Sequence, residues 1–208
     1  MSSAFRCVAW GTMVAVAGAI AILIVTLMGA FGSGYLKNFY LPSEAMAPTL
    51  EKGDRFVAFM DGGAGLERGD IIVMAVGEST YVKRVAALAG DTIGLEEGVV
   101  ILNGRAVVQR FLRNERPVEV PGAPPARRMS EQFPDEKAPH EILDMGPSDV
   151  DNFPELRVPA GFVFVLGDNR DRSADSRVPR EAMGVELLPV ADVKGRPLFC
   201  TIGCKLGR

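Results

Sequence analysis

A single histidine, His140, serves the whole 208-residue chain, and its scarcity closes several routes to function. A Ser-His-Asp triad cannot be built on any other histidine. His140 sits in a Pro-rich, loop-like stretch, so it is expected to be a solvated loop residue rather than a metal ligand or catalytic base. Cysteine is almost as scarce: Cys7, Cys200 and Cys204 are the only three. The CTIGC pair lacks the further ligands that a zinc site needs. In an oxidising compartment it could close a small disulfide loop, and two free thiols remain the alternative. Basic charge is not in excess. There are 23 Lys and Arg against 26 Asp and Glu, a net charge of −3, which argues against general nucleic-acid binding. No internal repeat is visible, and outside the N-terminal apolar run no segment carries a long helical periodicity.

One stretch lacks charge altogether. Cys7 to Phe31 reads CVAWGTMVAVAGAIAILIVTLMGAF. As a helix it would extend about 37 Å, enough to cross a bilayer with some tilt. A cleaved signal peptide has a shorter apolar region and a small-x-small exit, and Met28-Gly29-Ala30 is a poor one. We therefore expect a retained transmembrane anchor over 7–31, with a short cytoplasmic segment at 1–6. Arg6 lies before the anchor and Lys37 after it, so the positive-inside balance slightly favours a cytoplasmic N-terminus and an external domain over 32–208.

That domain reads as β-structure. DRFVAFM, DIIVMAV and STYVKRVAAL are strand-like, separated by turn residues. GVVILNGRAVV places Asn103-Gly104 between two apolar runs, the strongest hairpin signal in the chain. Nine prolines fall between Pro117 and Pro159, and residues 109–156 are expected to form an inserted β-ribbon with irregular loops. Order resumes with a strand over Gly161–Leu166, then a polar loop, then a final turn and strand. The expected fold is mainly β: an antiparallel β-sheet domain with a β-ribbon insertion, preceded by one N-terminal transmembrane helix.

Three segments carry potential chemistry. In YVKRV, alternation places Tyr81, Lys83 and Val85 on one strand face and Arg84 on the other. If the Lys83 face is covered, desolvation lowers its pKa from about 10.4 and equips it as a general base. An exposed strand lysine is the bland alternative. GDNRDRSADSR is rich in acids, yet calcium-loop spacing fails because Arg170 and Arg172 occupy ligand or glycine positions. Its arginines, with Arg84, can pair with Asp168, Asp171 and Asp175. Its hydroxyls, Ser173 and Ser176, could reach a nearby lysine. The third segment is the turn LPSEAMAPTL, residues 41–50.

Taken together, Pro-Ser-x-x-Met-x-Pro-Thr-Leu, Tyr-x-Lys-Arg-Val and Gly-Asp-Asn-Arg-Asp-x-Ser-x-Asp-Ser-Arg, in this order behind an apolar run, resemble the bacterial type I signal peptidases. These are membrane-anchored serine endopeptidases that use a Ser/Lys pair. The resemblance spans nearly the whole chain apart from 109–156. It implies that Lys83 is the general base and that Ser173 orients it. Ser43 would supply an oxyanion-hole hydroxyl beside the backbone N–H of residue 45. Met46 and Tyr81 would lie on the substrate side. Asp168 with Arg84, and Asp175 with Arg177, would be structural ion pairs. No metal or organic cofactor is implied. The implied partners are exported preproteins, whose small residues at −1 and −3 would enter apolar pockets as an added strand, and the lipid bilayer of the cytoplasmic membrane. The catalytic domain would face its outer side.

Two positions depart from the pattern. Arg172 stands where the family commonly has Asn, and Ala45 stands at the nucleophile. A methyl group cannot attack a carbonyl or form an acyl-enzyme. Three accounts fit Ala45: an engineered inactivation, a natural homologue that binds without cutting, or another hydroxyl in its place, Ser43 being nearest in sequence. The sequence does not separate the first two.

Overall fold

A computed structural model describes residues 16, 18–26, 28, 29, 31–115 and 125–202. It divides into two units, Met1–Lys37 and Asn38–Arg208. In the first, the described residues from 16 to 32 are helical. Ile20, Ile22, Leu23, Ile24 and Val25 are all exposed. No helix among the described residues is long and apolar enough to cross a membrane. Much of the expected anchor, 7–15 with 17, 27 and 30, lies outside the described residues.

The larger unit is antiparallel β-structure with short 3-10 turns. Its main sheet contains β1 (Leu36–Tyr40), β2 (Arg55–Phe59), β3 (Ile71–Val76), β4 (Ser79–Ala87), β12 (Phe162–Leu166), β13 (Leu188–Pro189) and β14 (Val193–Ile202). Their order across the sheet is β1-β2-β14-β3-β4-β12-β13. A second sheet, β11-β5-β6-β7, consists of Phe153–Arg157, Thr92–Glu96, Val99–Leu102 and Arg105–Ala106. Here Asn103 and Gly104 both take positive φ, 52° and 71°, as a tight turn between β6 and β7 requires.

Within 109–156 the chain builds a third sheet, β10-β9-β8, from His140–Asp144, Ala126–Gln132 and Val108–Glu115. It does not lie apart. The Leu143 N–H donates to the Asp168 carbonyl at 2.8 Å, so β10 runs against the loop that follows β12.

Three apolar clusters hold these layers. Phe164, Leu166, Ile93 and Phe133 fill one, Ile72, Met74, Val165 and Leu188 a second, and Met46, Leu50, Phe56 and Val73 the third. Each such side chain, fully buried, contributes about 1.5–3 kcal/mol. β4 lies between β3 and β12, and every residue from Val82 to Ala87 is buried, so both faces of this strand are covered. Lys83 meets Ser173 of the loop after β12. Cys200, in β14, is disulfide-bonded, and Cys204 lies outside the described residues.

Candidate active site

Lys83 is only 2% exposed. Ile72 faces it across the β3–β4 ladder. Its Nζ donates to Ser173 Oγ at 2.7 Å. Burial is the main influence on its titration and lowers the pKa from 10.5 to about 8, because an ammonium loses hydration that the neutral amine does not need. The nearby charges of Asp175, Arg177 and Asp168 partly offset one another. With a pKa of about 8 the neutral amine is a minor but accessible fraction near neutral pH, which leaves Lys83 able to accept a proton.

Ser173 is held by the loop after β12. Asp175 and Arg177 form a buried pair, with Arg177 Nε on Oδ1 and Nη2 on Oδ2, both at 2.9 Å. Asp175 Oδ2 also accepts the Gly167 N–H at 3.0 Å. Burial by itself would raise the Asp175 pKa, but Arg177, together with Lys83 and the Gly167 N–H, outweighs it and lowers the pKa. On the opposite face of β4, Arg84 grips Asp168 through Nε at 2.8 Å and Nη2 at 2.7 Å. Asp168 also accepts the Thr49 hydroxyl, tying the 41–50 turn to the same loop. Burial opposes the Asp168 charge, and Arg84 again prevails, so its pKa is lowered.

The turn is fixed at its centre as well. The Ala45 carbonyl accepts the Asn169 N–H at 3.1 Å. Ala45 is 8% exposed and Met46 fully buried. Ser43 is exposed. Tyr81 is half-buried, with its hydroxyl 3.4 Å from the Met183 carbonyl. Arg172 pairs with Glu44, the residue before Ala45, so the arginine at this unusual position joins turn to loop.

Gly167 is where the segments converge. A Cβ on it would overlap Ser173 Oγ and Cβ and reach 2.5 Å from the Ala45 carbonyl oxygen. Ala45, Ser173 and, through Ser173, Lys83 are therefore brought together around one residue without a side chain. Nothing in the sequence marks this glycine beyond its place in Gly-Asp-Asn. Gly167→Ala is expected to destabilise the domain by about 1–3 kcal/mol, as overpacking of a rigid site does. Chemical denaturation of the chain as given measures it, and an unchanged midpoint would show that the loop yields freely.

His140 corrects an expectation. It is not a solvated loop residue. It is 8% exposed, opens β10, and its ring packs 5.1 Å from that of Phe133. Pro-rich composition suggested a loose segment, whereas Glu131 and Glu136 gave the ring polar partners inside the fold.

Comparison with known proteins gives the family of the chain. Residues 9–202 match the family described as signal peptidase, peptidase S26. A signal peptidase I of Bacillus licheniformis is 28% identical over 162 residues, covering 76% of this chain and 73% of that protein. A probable signal peptidase I-1 of Synechocystis sp. is 31% identical over 180 residues, covering 77% and 68%. A solved signal peptidase I from Enterococcus faecalis is a looser likeness, at 22% identity and a TM-score of 0.35 over 63% of this chain and 95% of that one. The chain belongs to the signal peptidase family, peptidase S26.

Proposed function

We propose that this chain has the machinery of a signal peptidase I, an endopeptidase that removes N-terminal signal peptides from exported preproteins after small-x-small sites. The observation that carries this reading is the buried amine of Lys83, hydrogen-bonded to Ser173 beside the turn that holds position 45. In the working form a hydroxyl at 45 would attack the scissile carbonyl while Lys83 takes its proton. The backbone N–H of residue 45 and the Ser43 hydroxyl would receive the oxyanion. Lys83 would then return the proton to the leaving amine. Tyr81 would border the peptide, whereas Met46, expected on the substrate side, is fully buried and would pack behind position 45 instead. In the sequence given, Ala45 supplies no oxygen and the first step cannot occur. The exposed apolar helical residues Ile20 to Val25 support a single-pass anchor in the cytoplasmic membrane, with the catalytic domain on its outer side.

A second reading is favoured by Ala45 itself: a natural homologue that binds signal peptides without cleaving them. One experiment addresses both. A signal peptide is titrated into the full chain in detergent, and a preprotein is offered to the Ala45→Ser protein. Cleavage after a small-x-small site establishes the peptidase machinery. Binding by the chain as given, with no cleavage after Ala45→Ser, supports the binder. Neither binding nor cleavage removes both readings.

A further inference from the structure

The residues between β8 and β11 hold a buried set of charges that the hydrolytic chemistry above does not use. Glu131 is completely buried. Its carboxylate accepts Arg170 Nη1 at 3.0 Å, Arg170 Nη2, and the Gln109 amide at 2.8 Å. It also faces His140 Nε2 at 3.2 Å. The other ring nitrogen, Nδ1, faces the Glu136 carboxylate at 2.9 and 3.0 Å. Glu136 in turn lies 3.8 Å from Arg84 Nη1, and Arg84 holds Asp168. Among the described residues no group of three or more acids, histidines or cysteines is placed for a metal ion. Arginine side chains take up these carboxylates instead.

Geometry fixes the state of the ring. A neutral imidazole has one N–H and one bare nitrogen. With a carboxylate against each nitrogen, the bare one would turn a lone pair toward an anionic oxygen. Between two ionised carboxylates, only the imidazolium satisfies both. Charge balance agrees: Arg84, Arg170 and protonated His140 match Glu131, Glu136 and Asp168 one for one. Burial and Arg84 oppose the ring's charge, and Glu131, Glu136 and Asp168 outweigh them, so its pKa is raised above the ordinary 6.5.

This cluster leads directly to the site. Arg170 lies in the 3-10 turn Arg170–Arg172, which ends at Ser173, and its carbonyl accepts Arg177 Nη2 at 2.5 Å. Arg84 adjoins Lys83 on β4. We propose that His140, Glu131 and Arg170 are positioning residues of the hydrolytic site: the imidazolium and the Arg170 guanidinium share one carboxylate, and that shared carboxylate fixes the loop that presents Ser173 to Lys83. The proposal rests on the peptidase reading of Lys83 and Ser173. It makes the segment 109–156 part of the site's support. It also makes hydrolysis sensitive to alkaline pH. The ring's contribution is complete below its ordinary value of about 6.5 and is lost as pH rises through the raised native value.

The ring is tested first in the full chain as given, in detergent micelles, with ring-15N histidine. His140 is the only histidine, so its signals need no assignment. The expected result is an imidazolium at pH 7 that titrates above 6.5, with a lower midpoint in Glu131→Gln. Titration at or below 6.5 overturns the proposal. The positioning role is tested in the Ala45→Ser protein. Glu131→Gln and His140→Gln should each lower kcat on the order of 10²-fold, as a displaced catalytic group does, with KM unchanged. A loss confined to KM, or no loss, overturns it. If both variants fail to fold, the Ala45→Ser protein decides without further change. Its kcat, which rises as Lys83 loses its proton near pH 8, must drop below the curve for that single ionisation over the pH range in which the 15N titration shows the ring losing its own, and a profile that Lys83 alone describes overturns the proposal. If Ala45→Ser is inert throughout, the peptidase reading has failed, a result distinct from the ring titration.

Discussion

Ala45→Ser is expected to raise preprotein cleavage on the order of 10³–10⁶-fold over the chain as given, the range lost when a nucleophile is deleted from a residue set that acts as a unit. The size of the effect follows from how much of the site is already in place. Lys83 is desolvated and bonded to Ser173. The turn is pinned to the loop through the Ala45 carbonyl, through Thr49, and through Glu44 with Arg172. A hydroxyl added at 45 enters an ordered environment, so little binding energy is needed to arrange it. Single-turnover cleavage of a purified preprotein, with the product's new N-terminus sequenced, measures the gain. The rate should climb as pH rises through about 8, where Lys83 becomes neutral. Cleavage with a limb at the ordinary lysine value of about 10.4 would contradict a desolvated base.

Lys83→Met is expected to act in opposite directions on activity and stability. In the Ala45→Ser protein it should abolish the gain just described, because among the described residues Lys83 is the base bonded to Ser173 Oγ and methionine cannot accept the proton. In the chain as given it should stabilise the fold. The native pKa of Lys83 is depressed, so its penalty on folding is complete below about pH 8 and disappears above the ordinary value of 10.5. At neutral pH that penalty is on the order of 3 kcal/mol. A methionine of similar shape removes it and gives up one hydrogen bond worth about 1 kcal/mol. The net gain is about 1–2 kcal/mol, a rise in Tm of a few degrees. The Tm of the parent should climb between pH 8 and 10.5 relative to the variant. A variant that melts lower at pH 7 would show that the amine is not held at a cost.

These results bear on what could be read in advance. The Asn103-Gly104 turn was legible because its demand on φ is local. The antiparallel β class was legible from short apolar runs and turn residues. For Lys83, alternation alone leaves open whether its face is covered, since coverage depends on the loop that carries Ser173, 90 residues further on, closing over it. The motif resemblance named it where periodicity could not. The burial of His140 is hidden for a related reason. Of its four charged neighbours, Glu136 and Glu131 stand 4 and 9 residues before it, but Arg84 and Asp168 come from distant stretches, and Pro-rich local composition does not show that the ring is enclosed among them. Gly167 carries no mark in the sequence, because the need for a bare backbone appears only when Ser173 and Ala45 close on it.

The strand order has a consequence for when this molecule can act. β14 lies between β2 and β3, so that Gly195 faces Val73. Until Val193–Ile202 has been synthesised, the main sheet is two separate pieces, and closing it requires contacts between distant parts of the sequence, which form slowly. We predict that a chain truncated before Val193 leaves the 41–50 turn, between β1 and β2, unjoined to the piece that carries Lys83 and Ser173, and preprotein cleavage by that fragment after Ala45→Ser would refute the point. Joining the two halves of the site is then a late event in biogenesis: a nascent chain would carry all of its residues well before they are brought together.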